Sequence, residues 1–181
     1  MIRGYYITAV VFFCLSTLLP PPVLATSKLA GWGRVNMQGD IIDTACAIDV
    51  NSRDQTIDIG VVPLVDIVRD GQGRAKSFFI NLVNCQIERS DDKLSDWKQF
   101  HVTFDGETEG ELFGVRGEAS GVALQIADRL GNIALPGEPM PLEHIAAGNM
   151  QLSYSLRLMA NNRALKAGNY SSSIRFKLDY F

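Results

Sequence analysis

The chain has 181 residues and a formal net charge of −3, from 17 Lys+Arg against 20 Asp+Glu. No basic patch interrupts this mild acidity, so the chain lacks the electrostatic footprint of a nucleic-acid binder. Its length suits one domain with its own core once a leader is set aside.

The leader comes first. Arg3 is the only charge before Lys28, and an apolar run from Ile7 to Leu19 lies between them. Pro20-Pro-Pro22 breaks the run, and Val23-Leu-Ala25 puts small residues at the cleavage positions. That is the pattern of a secretory signal peptide, residues 1–25, cut after Ala25. The run is short of the ~20 residues that a spanning helix needs. Cys14 leaves with the leader, so Cys46 and Cys85 remain. An even pair in an exported chain reads as a disulfide. It would close a loop of about 40 residues, worth roughly 4 kcal/mol in the chain-entropy account. Two cysteines with only His101 and His144 for company make a poor zinc site.

Residues 26–38 follow. Leu29, Gly31, Gly33, Val35 and Met37 share one parity, and Ala30, Trp32, Arg34 and Asn36 share the other. Two glycines weaken a strand inside a sheet but suit close approach of backbone to backbone. The residues alone leave open a loose leader, an ordinary first strand, or a strand offered elsewhere.

The body reads as short strands: residues 40–43, 46–48, 55–59, 77–83, 100–104, 121–126 and 150–158. Asp105-Gly106 is a turn signal after the fifth of these. Residues 90–100 have room for one helical turn, since Leu94 and Trp97 sit three apart. Strands of this number, few helical patterns and one bridge fit an antiparallel β-sandwich of immunoglobulin-like architecture. Residues 168–181 close the set. Tyr170, Ile174, Phe176, Leu178 and Tyr180 form an apolar row with Ser172 as its gap, and Arg175, Lys177 and Asp179 fill the other face. A period of two over this length is a strand with one wet face, and its partner need not belong to the same chain.

Several of these pieces, in this order, resemble the pilin subunits of chaperone–usher fimbriae. They are Gly33 in a short N-terminal extension, Gly39 and Cys46, the string Leu82-Val-Asn-Cys85, and a terminal strand with Gly168 fourteen from the end and Tyr180 next to last. Within the family the chain is similar to terminating, base-anchoring pilins of P pili. The segments carrying that likeness are Val102-Thr-Phe-Asp-Gly106, residues 121–128, Gly131-Asn-Ile-Ala134, Ala167-Gly-Asn-Tyr170 and the polar insert 88–99.

The resemblance implies an all-β, incomplete immunoglobulin-like sandwich lacking its last strand, over residues 39–181. Its groove is filled first by a strand of the periplasmic pilus chaperone and then by the extension of a neighbouring pilin subunit. Residues 26–38 become the donor-strand extension, with Leu29, Val35 and Met37 as anchors and Gly33 lying close to the groove floor. Three anchors at ~1.5–3 kcal/mol each give roughly 5–9 kcal/mol before ordering costs. Gly168, Tyr170, Ile174, Phe176, Leu178, Tyr180 and Phe181 become the groove edge that meets chaperone and donor, with the chaperone holding the terminal carboxylate of Phe181. An outer-membrane usher is the remaining partner, and the route runs through the periplasm to a cell-surface fimbrium. A terminator accepts the chaperone strand and refuses a further donor; a major rod pilin and a sugar-binding tip adhesin are the alternatives within the family.

Catalysis is not expected, nor a cofactor, a metal or a small-molecule substrate. Gly117-Glu-Ala-Ser-Gly121 has its serine one place off a nucleophile elbow. Residues 70–73 lack the Lys-Ser/Thr of a phosphate loop. His101 sits in an expected strand, where it reads as exposed, and His144 in an expected loop. Trp32 and Trp97 read as surface or core side chains rather than sugar platforms. Asn169-Tyr-Ser171 matches a glycosylation pattern inside an expected strand and reads as coincidence.

Overall fold

The computed structural model describes residues 33–39, 43–91 and 93–181. Contacts divide the chain into two units, residues 1–40 and 41–181. In the first, residues 33–39 carry no regular structure and are all exposed, Val35 at 80% and Met37 at 92%. Leu29, Trp32 and residues 40–42 of the expected strand 40–43 lie outside the described residues, and Asp43 carries no regular structure.

Among the described residues of the second unit the chain forms eleven strands and two short helices. They are β1 (Ala47–Ile48), α1 (Val50–Arg53), α2 (Leu64–Asp70), β2 (Lys76–Cys85), β3 (Gln99–Gly106), β4 (Thr108–Glu109), β5 (Leu112–Phe113), β6 (Arg116–Gly117), β7 (Val122–Asp128), β8 (Glu143–His144), β9 (Gly148–Ala160), β10 (Tyr170–Ser171) and β11 (Ile174–Tyr180). One sheet runs β1-β2-β9-β7-β5-β4 and a second runs β11-β3-β8, while β10 pairs with β6. Every ladder is antiparallel.

The long strand β9 is the spine of the larger sheet. Leu152, Tyr154, Leu156 and Leu158 alternate into the core, which is why its period of two is so clear. On one flank it pairs with β2, Phe78 opposite Tyr154 and Ile80 opposite Leu152. On the other it pairs with β7, Leu124 opposite Leu158 and Ile126 opposite Leu156. Phe104 of β3 brings the second sheet onto the first, edge-on to Tyr154 at 5.0 Å and to Phe78 at 6.3 Å. Such aromatic contacts add about 0.5–1.5 kcal/mol each beyond their buried area. Cys46 and Cys85 are bonded, tying the residue before β1 to the end of β2. This layering is an immunoglobulin-like sandwich, as the strand pattern implied.

Three local expectations are corrected. Residues 55–59 keep a strand-like alternation, with Ile57 and Ile59 half-buried between exposed neighbours, but join no ladder. Around Leu94, which is 47% exposed, one hydrogen-bonded turn closes, the Leu94 N–H donating to the Asp91 carbonyl at 2.9 Å, but Leu94 and Trp97 do not share a helical face, for Trp97 enters the core at 7%. The C-terminal row is two strands, since the chain leaves β6 after Ser171 and joins β3 at Ile174. At the gap, the Ser172 hydroxyl donates to the Gly114 carbonyl at 2.7 Å, which fixes the crossing. A fourth feature, α2, had no counterpart in the sequence reading. Pro63 precedes it, and Gly71 closes it in the left-handed region (φ 70°), its N–H donating to the Ile67 carbonyl.

Candidate strand-accepting groove

β11 is an edge strand. It pairs with β3 from Ile174 opposite Gly106 to Tyr180 opposite Phe100, and its outer flank has no ladder partner among the described residues. The other wall of the opening beside it is made by residues 54–62, which join no ladder and in which Ile57, Ile59 and Val62 are half-buried. Between these walls lies a groove of about 1310 Å³, floored by core side chains including Phe78, Phe104, Leu124, Ile126, Leu156 and Leu158. Two rows of backbone groups without sheet partners therefore flank an apolar floor. Free backbone donors and acceptors beside buried carbon are the two features that an added strand satisfies together.

The expected edge residues divide between two places. Gly168, Tyr170, Ile174 and Phe176 line the groove. Leu178, Tyr180 and Phe181 lie instead beside a shallower hollow of about 580 Å³ that includes Thr44 and Trp97. Tyr180 is held there by its ring against Trp97 (5.9 Å) and Phe100 (6.0 Å), with its hydroxyl 3.5 Å from the Cys46 carbonyl. Burial pushes its hydroxyl pKa up, and a hydrogen bond with Thr44 opposes that. The disulfide segment thus sits against the last turn of the row, while the deep opening is beside its first half. Tyr170 and Asp58 both line the groove; burial raises the Tyr170 pKa first, and the Asp58 carboxylate raises it further.

Gly168 owes its identity to close approach. A Cβ built on it would lie 2.6 Å from Glu118 Cβ, 2.8 Å from the Ala119 nitrogen and 2.8 Å from the Glu118 carbonyl carbon. That proximity lets the Glu118 and Ala119 N–H groups donate to the Asn169 carbonyl, at 2.8 and 3.1 Å. The wall ahead of β10 is anchored by these bonds.

The polar face of β11 is tied down on its own sheet. Asp179 Oδ2 receives Lys177 Nζ at 2.9 Å and lies 3.1 Å from His101 Nε2. The Lys177 hydrogen bond is the main cause holding the Asp179 carboxyl below its usual range, with His101 adding to it. His101 is therefore a half-buried partner of Asp179, not the exposed side chain expected from sequence, and its ring sits 5.1 Å from that of Phe181. The Phe181 main-chain oxygen accepts from the Lys98 and Gln99 N–H groups, at 2.7 and 3.1 Å. His144 is exposed on β8, opposite Gln99, rather than in a loop. Among the described residues no group of three or more His, Cys, Asp or Glu converges to hold a metal ion. The groove wall at residues 54–62 was missed as a site, although the alternation of Ile57 and Ile59 carried its signal.

Fold and groove together define a sandwich module whose chemistry is backbone pairing and apolar contact. No family model matches the chain. It is 34% identical over 170 residues to the PRS fimbrial minor pilin protein of Escherichia coli, covering 89% of this chain and 87% of the relative. The PAP fimbrial minor pilin protein of the same species matches to the same extent. The Fimbria A protein of Serratia marcescens is 29% identical over 162 residues, 87% of this chain and 89% of that one. Among solved structures, the P pilus rod subunit PapA superimposes with a TM-score of 0.66 at 21% identity, over 76% of this chain and 100% of that one. The chain belongs to the chaperone–usher fimbrial pilins. It is a structural subunit of a cell-surface fimbrium that interacts with other pilin subunits, and not an enzyme.

Proposed function

We propose that the chain is a minor, terminating pilin that travels through the periplasm with its groove closed by a chaperone strand and is delivered at the outer-membrane usher. Its extension, with Leu29, Val35 and Met37 as anchors around Gly33, enters the groove of a neighbouring subunit. Its own groove, edged by Gly168, Tyr170, Ile174 and Phe176, receives the chaperone strand and is not passed on. Leu178, Tyr180 and Phe181 continue that contact surface below the groove, where the chaperone would hold the chain end.

The observation that carries this reading is the unpartnered outer flank of β11 above an apolar floor. The 34% identity to two minor pilins supports the minor place. The test is co-expression with a periplasmic chaperone, followed by challenge of the purified complex with donor peptide. A one-to-one complex that resists displacement is the expected result. Ready exchange followed by self-polymerisation would make the chain a rod subunit, and a chaperone-independent monomer would end the pilin-groove reading.

A further inference from the structure

A strand with a period of two cannot present both Leu82 and Cys85 to one face, because they are an odd number of positions apart. Yet β2 does so. Phe78, Ile80 and Leu82 are buried, Val83 is half-buried, Asn84 is exposed, and Cys85 is buried again. The ladders show where the phase changes. Against β9, Leu82 stands opposite Met150 but Cys85 opposite Gly148, so three steps along β2 match two along β9. Against β1, Ile48 stands opposite Leu82 and Ala47 opposite Val83. Continued unchanged, that register would set Cys46 opposite Asn84. Instead the Gln86 N–H donates to the Ala45 carbonyl at 2.8 Å, which brings Cys46 level with Cys85. One residue is thus looped out against both neighbouring segments, which is a β-bulge.

Asn84 is the residue looped out. Its φ is 54°, in the left-handed region that asparagine tolerates and β-branched residues avoid. Its N–H donates to Asn149 Oδ1 at 3.3 Å, in place of a ladder carbonyl. Asn84 and Asn149 are both exposed, so burial of the side chain does not explain an asparagine here.

We infer that Asn84 is the positioning residue for the Cys46–Cys85 disulfide: its left-handed backbone absorbs one residue and turns Cys85 onto the core face opposite Cys46. In the competing register, slipped by one residue, Asn84 takes the core place opposite Cys46 and Cys85 faces solvent. Closure of the bond is thiol–disulfide exchange with an external disulfide. One cysteine thiolate attacks that disulfide and releases its first thiol. The second cysteine then attacks the mixed disulfide and releases the other. The protein gives up two electrons and two protons, and the external disulfide ends as two thiols. Asn84 enters neither step; it selects the register in which the two sulfurs meet.

The experiment equilibrates the mature chain, refolded around a donor peptide, with mixtures of reduced and oxidised glutathione. Alkylation of free thiols followed by mass spectrometry reads the fraction bonded. Asn84→Val is expected to lower the equilibrium constant for bond formation about tenfold, as the cost of a left-handed β-branched residue implies. Asn84→Gly is expected to stay within about twofold of wild type, since glycine adopts positive φ freely. A side chain that acted by its own contacts would be missed equally in both variants. Equal losses in the two variants therefore overturn the inference, and so does an Asn84→Val constant equal to that of wild type. Where Asn84→Val fails to fold, Asn84→Ala against Asn84→Gly makes the same comparison, with the same two outcomes. In concentrated urea, where no bulge exists, all variants are expected to share one constant, and a difference that persists there also overturns the inference.

Discussion

Replacing Gly168 by alanine tests the groove wall at a single atom. The new methyl would arrive 2.6–2.8 Å from Glu118 and Ala119, and two of the three nearest atoms are backbone. Relief requires the two segments to part. Parting strains the bonds from Glu118 and Ala119 to the Asn169 carbonyl and the reciprocal pair between Ser120 and Lys166, at 3.2 and 3.1 Å. Overpacking of this kind costs about 1–3 kcal/mol. Against it stands a gain of about 0.4–1 kcal/mol from the stiffer unfolded chain, available because alanine can adopt this backbone conformation. The clash wins, leaving a net loss of about 1–2 kcal/mol and a Tm lower by roughly 2–8 °C. The assay is thermal unfolding of the chain refolded around a donor peptide, with Gly39→Ala as control, since a Cβ at Gly39 meets nothing within 4 Å. A Gly168→Ala protein as stable as wild type would refute the claim that backbone proximity fixes this glycine.

Gly33→Ala should leave the chain's own unfolding midpoint unchanged, because a Cβ there meets nothing within 4 Å, yet weaken capture of its extension by a neighbouring subunit; pull-down with a chaperone-bound sister subunit reads this. Tyr154→Phe should be neutral or stabilising by about 1 kcal/mol in denaturant melts, since the buried Tyr154 hydroxyl has no hydrogen-bond partner among the described residues. Burial raises the Glu143 pKa above its usual 4.5, with Arg129 opposing the shift. The folded state therefore holds that proton more tightly than the unfolded chain, so this residue's contribution falls as pH rises through the folded pKa. Glu143→Gln should raise the midpoint at pH 7 and leave it unchanged at pH 3, as melts at the two pH values will show.

What the sequence made legible was whatever depended on alternation. The row from Ile174 to Tyr180, the spine β9 and its two partners β2 and β7 all announce themselves by period. The break at Ser172 and Ser173 does not, because it is set by a crossing from β6 to β3 and by the Gly114 carbonyl, which are distant in sequence. Residues 55–59 have a strand's pattern without a strand's partner, so the reading was right about the side chains and wrong about the ladder. α2 has no clear signal in the sequence because Leu64, Val65 and Val68 are apolar on its exposed side, which hides helical amphipathicity. Its Pro63 start and Gly71 stop were present in the sequence as punctuation.

The pairing of β11 with β3 joins stretches as far apart as His101 and Asp179, 78 positions along the chain. Closing so distant a contact is slow, because the entropy of the intervening loop is lost before the contact forms. During that interval β3 has only the two-residue β8 on one side and bare backbone on the other, with Phe100, Val102 and Phe104 still uncovered. A strand edge exposed beside three large apolar side chains is an aggregation template. The subunit is therefore most vulnerable in the time between making its third strand and receiving its eleventh, and any protein that shepherds it must act within that window.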